Sequence, residues 1–168
     1  MPSSENRLTR TLFLRSLGRR FSFIHFPYKF LCISRVRKSM PFNVNHIHLK
    51  SSDPKATADW FVEAFNVEIK TDNVRPVGDR FITTMTEGGL AINISSERTD
   101  EKLGPADADP HYGLEHFGFD TDDMDADIAR LQVLGAELKE GPINNGGGVT
   151  IAFVAAPGDI RIELIHRQ

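Results

Sequence analysis

From Phe42 onward the chain alternates between two periodicities. Val44, His46 and His48 interleave with Asn45, Ile47 and Leu49, a period-2 pattern that puts the two sets on opposite faces of a strand. Ser52-Asp53-Pro54 then supplies a helix start, with Asp53 as the N-cap and Pro54 at the first helical position. Ala56, Trp60, Phe61 and Ala64 recur at helical spacing through Phe65. Short strands are predicted near residues 67–71, 80–86 and 90–95, punctuated by Gly78 and Gly88-Gly89. A polar loop runs from Ser96 to Pro110. The order then recurs: a strand over Leu114–Asp120, a helix over Asp122–Leu134, and strands near 136–140, 149–155 and 160–166, broken by Gly147-Gly148 and Gly158.

A constant offset of 70 residues aligns the two halves without a gap: His46 with His116, Asp53 with Asp123, Ala56 with Ala126, Gly78 with Gly148, Gly88 with Gly158, and Ile92-Asn93-Ile94 with Ile162-Glu163-Leu164. Chance supplies isolated matches, but not caps, turn glycines and strand phase together. The predicted fold class is α+β: two βαβββ modules, about 42–97 and 111–168, forming one cup-shaped mixed β-sheet with outer helices.

Charge separates this domain, residues 41–168, from what precedes it. Residues 1–40 hold nine Lys or Arg and one acid, Glu5, which leaves 11 basic and 22 acidic side chains beyond them, a net of −11. The acidic part repels phosphates, and the basic part carries no fold signal, so neither reads as a nucleic-acid binder. The Arg- and Ser-rich extension, dotted with Phe and Leu, fits a mitochondrial or plastid transit peptide, a disordered tail, or in-frame sequence ahead of a true start at Met40. The expected location is correspondingly the cytoplasm, or a mitochondrion or plastid. No apolar run approaches a membrane span, so no membrane partner is expected. The one cysteine, Cys32, lies in the extension, so any metal in the domain needs His, carboxylate or amide ligands.

The repeat supplies such ligands. His46 and His116 occupy equivalent positions on the two first strands, both facing into the expected cup. On the last strand Ile160, Ile162 and Leu164 point to the helix side, so Glu163 points inward with the histidines. A single strand histidine is ordinarily just a hydrogen-bonded residue. Two related by a repeat, with a carboxylate on the same face, suit one divalent ion (Fe, Mn, Ni, Co or Zn) with positions left for substrate oxygens.

Three segments carry a resemblance: N-H-I-H-L-K-S-S-D-P-K-A-T-A-D-W-F from Asn45, G-L-E-H-F-G-F-D-T-D-D-M-D-A-D-I-A-R-L from Gly113, and A-P-G-D-I-R-I-E-L-I from Ala156. Together they resemble the vicinal oxygen chelate superfamily of glyoxalases, bleomycin resistance proteins and extradiol dioxygenases. The resemblance implies that His46, His116 and Glu163 are the metal ligands and that Asn93 stands at the fourth ligand position. Glyoxalase I enzymes carry a Glu there that takes part in proton transfer. Asn cannot serve as a base, and is read as a weak ligand, a hydrogen-bond donor or a lining residue. The implied function is a metal-dependent, glyoxalase-like lyase or isomerase acting on a small oxygenated substrate chelated through adjacent oxygens. Extradiol dioxygenase chemistry is the next reading, and metal-free sequestration, as in bleomycin resistance proteins, is the alternative from outside enzymology. The superfamily implies a homodimer as the alternative to a monomer.

His48 shares the inward face of His46 and is a candidate general base, oxyanion holder or lining residue. Glu163 is the candidate proton shuttle. His111 and Tyr112 are candidates for the mouth of the pocket, Arg75 and Arg80 for holding an anionic substrate such as a carboxylate, phosphonate or glutathione, and Asn144 to Gly148 for a flexible turn or lid. The acidic run Asp120, Asp122, Asp123, Asp125 and Asp127 lacks the Gly and terminal Glu of a calcium loop and is assigned to helix capping.

Overall fold

The first strand, β1 (His46–Lys50), feeds helix α1 (Pro54–Phe65) through a polar knot. Asp53 caps the helix by accepting from Ala56 N at 3.1 Å, Asp53 N donates to Ser51 Oγ at 3.0 Å, and Ser51 N donates to Ser95 O at 2.9 Å. Strands β2 (Glu68–Val74), β3 (Arg80–Met85) and β4 (Ala91–Ser95) complete the module. The second module repeats the construction: β5 (Phe117–Asp120), α2 (Met124–Val133), β6 (Glu137–Gly146), β7 (Val149–Ala156) and β8 (Ile160–Arg167). There Asp123 accepts from Ala126 N, Asp123 N donates to Thr121 Oγ1, and Thr121 N donates to Ile165 O, each shifted by the same 70 residues. The computed structural model describes residues 42–168; the 1–40 extension, with the targeting readings that depend on it and Cys32, lies outside the described residues.

Each module is a four-stranded mixed sheet, ordered β1-β4-β3-β2 and β5-β8-β7-β6. Register repeats as well. His46 pairs with Ala91 and Phe117 with Ile162, both 45 residues apart in parallel ladders. One feature departs from the single continuous sheet expected: β1 and β5 each pair on one side only, so each module ends in an open first-strand edge.

What joins the modules is a common core. Phe61, Ile82, Ile92, Ile94, Leu131, Val154, Ile162 and Leu164, from both halves, are buried in one cluster. The face of α1 is broad enough to serve two sheets. Phe65 stacks on Phe119 with ring centroids 4.0 Å apart, Phe61 lies 6.3 Å from Phe117, and Trp60 Nε1 donates to Leu134 O at 2.9 Å. Thus the helix of the first module covers the first strand of the second.

Two boundaries differ informatively from expectation. His116 falls just before β5, so its side chain is set partly by the incoming loop. Asn144 to Gly148 is no lid: Asn144 pairs with Thr150 and Gly146 with Val149, closing a tight β6–β7 hairpin.

Phe61→Ala, which empties a fully buried site at this junction, should cost about 3–5 kcal/mol. Urea unfolding followed by tryptophan fluorescence and far-ultraviolet circular dichroism should show one shifted transition. Two separated transitions would mean that the modules do not share a core.

Candidate metal centre

His116 lies at the mouth of β5 and Glu163 on the neighbouring strand β8, with parallel pairing setting Gly118 beside Glu163. The structure brings His116 Nε2 to 3.3 Å from Glu163 Oε2. The other ring nitrogen, Nδ1, donates to the carboxylate of Glu115. A carboxylate only accepts, so this contact puts a proton on Nδ1; in the neutral ring the lone pair is then on Nε2, which faces Glu163. Two donors bound at about 2.1 Å and at right angles to one ion lie roughly 3 Å apart, so the pair fits a divalent cation. The hydrogen-bonded Glu115 is the outer carboxylate such a ligand histidine ordinarily has.

Glu115 is itself held by Arg161, whose Nε lies 2.6 Å from Glu115 Oε1. The hydrogen bond from His116, and then the charge of Arg161, keep the Glu115 carboxyl below the usual carboxylate range. Gly118 leaves room for Glu163: a Cβ there would meet Glu163 Oε2 at 3.4 Å and Ile165 Cδ1 at 3.3 Å.

His46 does not join this pair. Among the described residues no three His, Cys, Asp or Glu side chains gather as a metal site. His46 is exposed on the open-edged β1 and repeats the tautomer device, its Nδ1 donating to Asn45 Oδ1 at 2.5 Å. Its Nε2 is therefore also left free.

On the same face of the first module, His48 Nε2 bonds Ser95 Oγ at 2.9 Å, and its ring lies 5.2 Å from Phe81. Burial, then the charges of Lys50 and Arg75, push His48 below its ordinary value of 6.5, so the ring is neutral near pH 7. Asn93 is its half-buried register partner on β4.

Arg75 caps Phe81 at 4.0 Å and is neutralised by buried Asp79, its Nε donating to Oδ1 at 2.8 Å. Gly78 makes that turn possible, because a Cβ there would fall 2.1 Å from Thr99 Oγ1. Arg80 is a correction: it shares the helix-side face with Ile82 and Thr84 and pairs with Asp72 at 2.8 and 2.6 Å, away from the candidate pocket.

His111 and His116 both line an inter-module cleft of about 1140 Å³, together with His48, Lys50, Glu115 and Arg161. Sequence reasoning missed Glu115 and Arg161. The available signal was position: Glu115 stands one residue before His116, and Arg161 two before Glu163 on the same strand face.

The duplicated βαβββ fold with a shared core defines the class of protein. The model of the Glyoxalase/Bleomycin resistance protein/Dioxygenase superfamily matches residues 43–164, and the chain belongs to that superfamily. A comparison with curated protein sequences returned no match. Similar solved structures include a glyoxalase family protein from Bacillus cereus, at 17% identity and TM-score 0.68, covering 77% of this chain and 97% of that one. A glyoxalase family protein from Enterococcus faecalis is similar at 22% identity and TM-score 0.60, covering 73% and 96%. The fosfomycin resistance protein FosX from Listeria monocytogenes, complexed with Mn(II) and sulfate, is similar at 19% identity and TM-score 0.59, covering 77% and 95%. At these identities the likeness is one of fold.

His111 ties the linker together, with Nδ1 2.9 Å from Asp109 O and Nε2 3.1 Å from Leu114 O. Both bonds form only when the ring is doubly protonated, and the bond to Asp109 leads in raising its pKa above 6.5. With the folded value above the unfolded one, the stabilisation is complete below about 6.5 and is lost as pH rises through the folded value. His111→Gln should therefore lower the melting temperature at about pH 5.5 and leave it unchanged at about pH 9. Equal losses at both pH values would show that the two bonds do not depend on charge.

Proposed function

We propose that the protein is a metal-dependent lyase or isomerase of its superfamily, in which His46, His116 and Glu163 hold one divalent ion for a small substrate with adjacent oxygens. The observation that carries this reading is the His116–Glu163 pair, with His116 Nδ1 occupied by Glu115 and Nε2 facing Glu163 Oε2. The Mn(II) complex of the structurally similar FosX supports a divalent ion as the cofactor. Such an ion, when bound, supplies Lewis-acid stabilisation of negative charge developing on a substrate oxygen.

The chain's own residues divide the remaining work. Glu115 keeps His116 in the ligand tautomer. Glu163 has two oxygens, one to bind and one to carry a proton to or from the substrate. Neutral His48, held by Ser95, is a second base on the face of the other first strand. Asn93 beside it lines the face and offers amide hydrogen bonds.

Completion of the ligand set points to a homodimer. β1 and β5 are equivalent strands, each with one free edge, and His46 is exposed with a free Nε2. A two-fold pair of chains that lays β1 of one copy beside β5 of the other builds the continuous sheet expected from the repeat. It also delivers His46 of a second copy to His116 and Glu163.

Protein purified without a chelating column should carry, or take up, about one equivalent of transition metal per chain, and His116→Ala should lose it. No uptake of Fe, Mn, Ni, Co or Zn would leave the metal-free binding reading in its place. Subunit exchange tests the shared site: mixing His46→Ala chains with His116→Ala chains should restore metal binding in the mixed dimer. A mixture as inactive as its components would place all three ligands in one chain.

A further inference from the structure

We propose that Arg161 is a positioning residue of the metal centre, fixing the Glu115 carboxylate and through it the orientation and tautomer of His116; its bearing on activity rests on the metal-site reading above. Burying a guanidinium is costly unless its charge is matched, and the Arg161 side chain is only 4% exposed. Its contacts converge on one corner. Nε lies 2.6 Å from Glu115 Oε1, Nη1 donates to Ala108 O at 3.1 Å, and Nη2 donates to Glu140 Oε2 at 3.2 Å. The guanidinium carbon lies 4.3 Å from the centroid of the Phe153 ring, whose edge-to-face neighbour at 5.1 Å is His116.

The Nε–Glu115 contact is one of charge, since the Nε hydrogen is not aligned with any acceptor. Arg161 therefore does not compete for the oxygen that His116 uses: Oε1 faces the guanidinium, and Oε2 accepts from Nδ1. Arg161 and His116 pack on the same phenyl ring, so a shift of either is felt by the other.

The first module provides an internal control. Seventy residues earlier, Asn45 stands for Glu115 and Ala91 for Arg161. There the His46 Nδ1–H is accepted by a neutral amide, at 2.5 Å, with no cation beside it. Asn45 and His46 are exposed and the neutral amide needs no counter-charge, whereas the half-buried Glu115 carboxylate is matched by one. The carboxylate and the arginine thus occur together, on the side where the histidine has a carboxylate partner at Glu163.

The test uses the full chain, with Arg161→Met (which keeps the apolar stem over Phe153), Arg161→Lys, Glu115→Gln and the Met/Gln double variant. Long-range proton–nitrogen spectra of the metal-free protein at about pH 9, where an ordinary imidazole is neutral, should show His116 as a single Nδ1–H tautomer in wild type. Arg161→Met should show mixed tautomers, and Arg161→Lys an intermediate state. Mn(II) titration followed by electron paramagnetic resonance should give a Kd weakened about 10–100-fold by Arg161→Met. In the Glu115→Gln background the same change should do little, because the amide no longer needs the cation. An Arg161→Met protein with wild-type tautomer and Mn(II) affinity overturns the proposal, as does wild type with His116 protonated at Nε2. Should Arg161→Met not fold, Arg161→Gln, which also removes the cation, carries the same two readouts and an unchanged result there is equally fatal. Wild type that binds no Mn(II) removes the metal reading, and the tautomer comparison still decides whether Arg161 positions His116.

Discussion

Neither βαβββ module can cover both first strands with its own helix, and the structure depends on the way α1 resolves this. Its aromatic face serves its own sheet through Phe61 and the neighbouring β5 through Phe65 and Phe119. The stack pulls the core side of β5 against the first module, and strand alternation then turns the opposite side, carrying His116 and Gly118, away from the core. The chemistry-bearing face of the second module is thus fixed by an apolar contact made on its reverse.

Charge is handled differently on the two exposed faces. The domain beyond residue 40 is strongly acidic, yet Arg161 is buried beside the most promising ligands and faces two carboxylates, Glu115 and Glu140. In the first module Arg75 plays a comparable part against Asp79, with Phe81 and His48 stacked beyond it. Each face therefore holds an arginine, a phenyl ring and a histidine in sequence. In the second module the arginine's carboxylate partner also bonds the histidine; in the first it does not. One histidine is braced by an ionic corner and the other is left to Ser95.

The features that reside in the backbone were legible from residue types. Asp53 and Asp123 announce their helices, glycine spacing marks the hairpins, and the 70-residue offset carries strand phase from one half to the other, so that Glu163 could be placed on the His116 face. Arg80 was assigned to the pocket although it shares strand parity with Ile82, which is buried on the helix side; phase was the better guide. Glu115 and Arg161 are marked only by their positions, since a carboxylate and an arginine ordinarily read as solvated surface charges; their contact with each other and the packing of Arg161 on Phe153 show otherwise. Whether β1 and β5 meet is a tertiary matter that alternation does not encode. That is why the continuous sheet resolves in one chain into two open-edged sheets.

Gly118 has a consequence for how the halves of this chain can change. The rung that pairs His48 with Asn93 in the first module pairs Gly118 with Glu163 in the second. Large beside medium has become absent beside long, so the space across the rung is shared differently between its two occupants. A side chain gained at Gly118 presses on Ile165 Cδ1 and comes into contact with the Glu163 carboxylate. Substitutions at the two positions are therefore coupled: growth at Gly118 narrows the set of rotamers open to Glu163. A drift of the second half back toward the first crowds that carboxylate, so the duplicated modules, once specialised at this rung, no longer change independently across it.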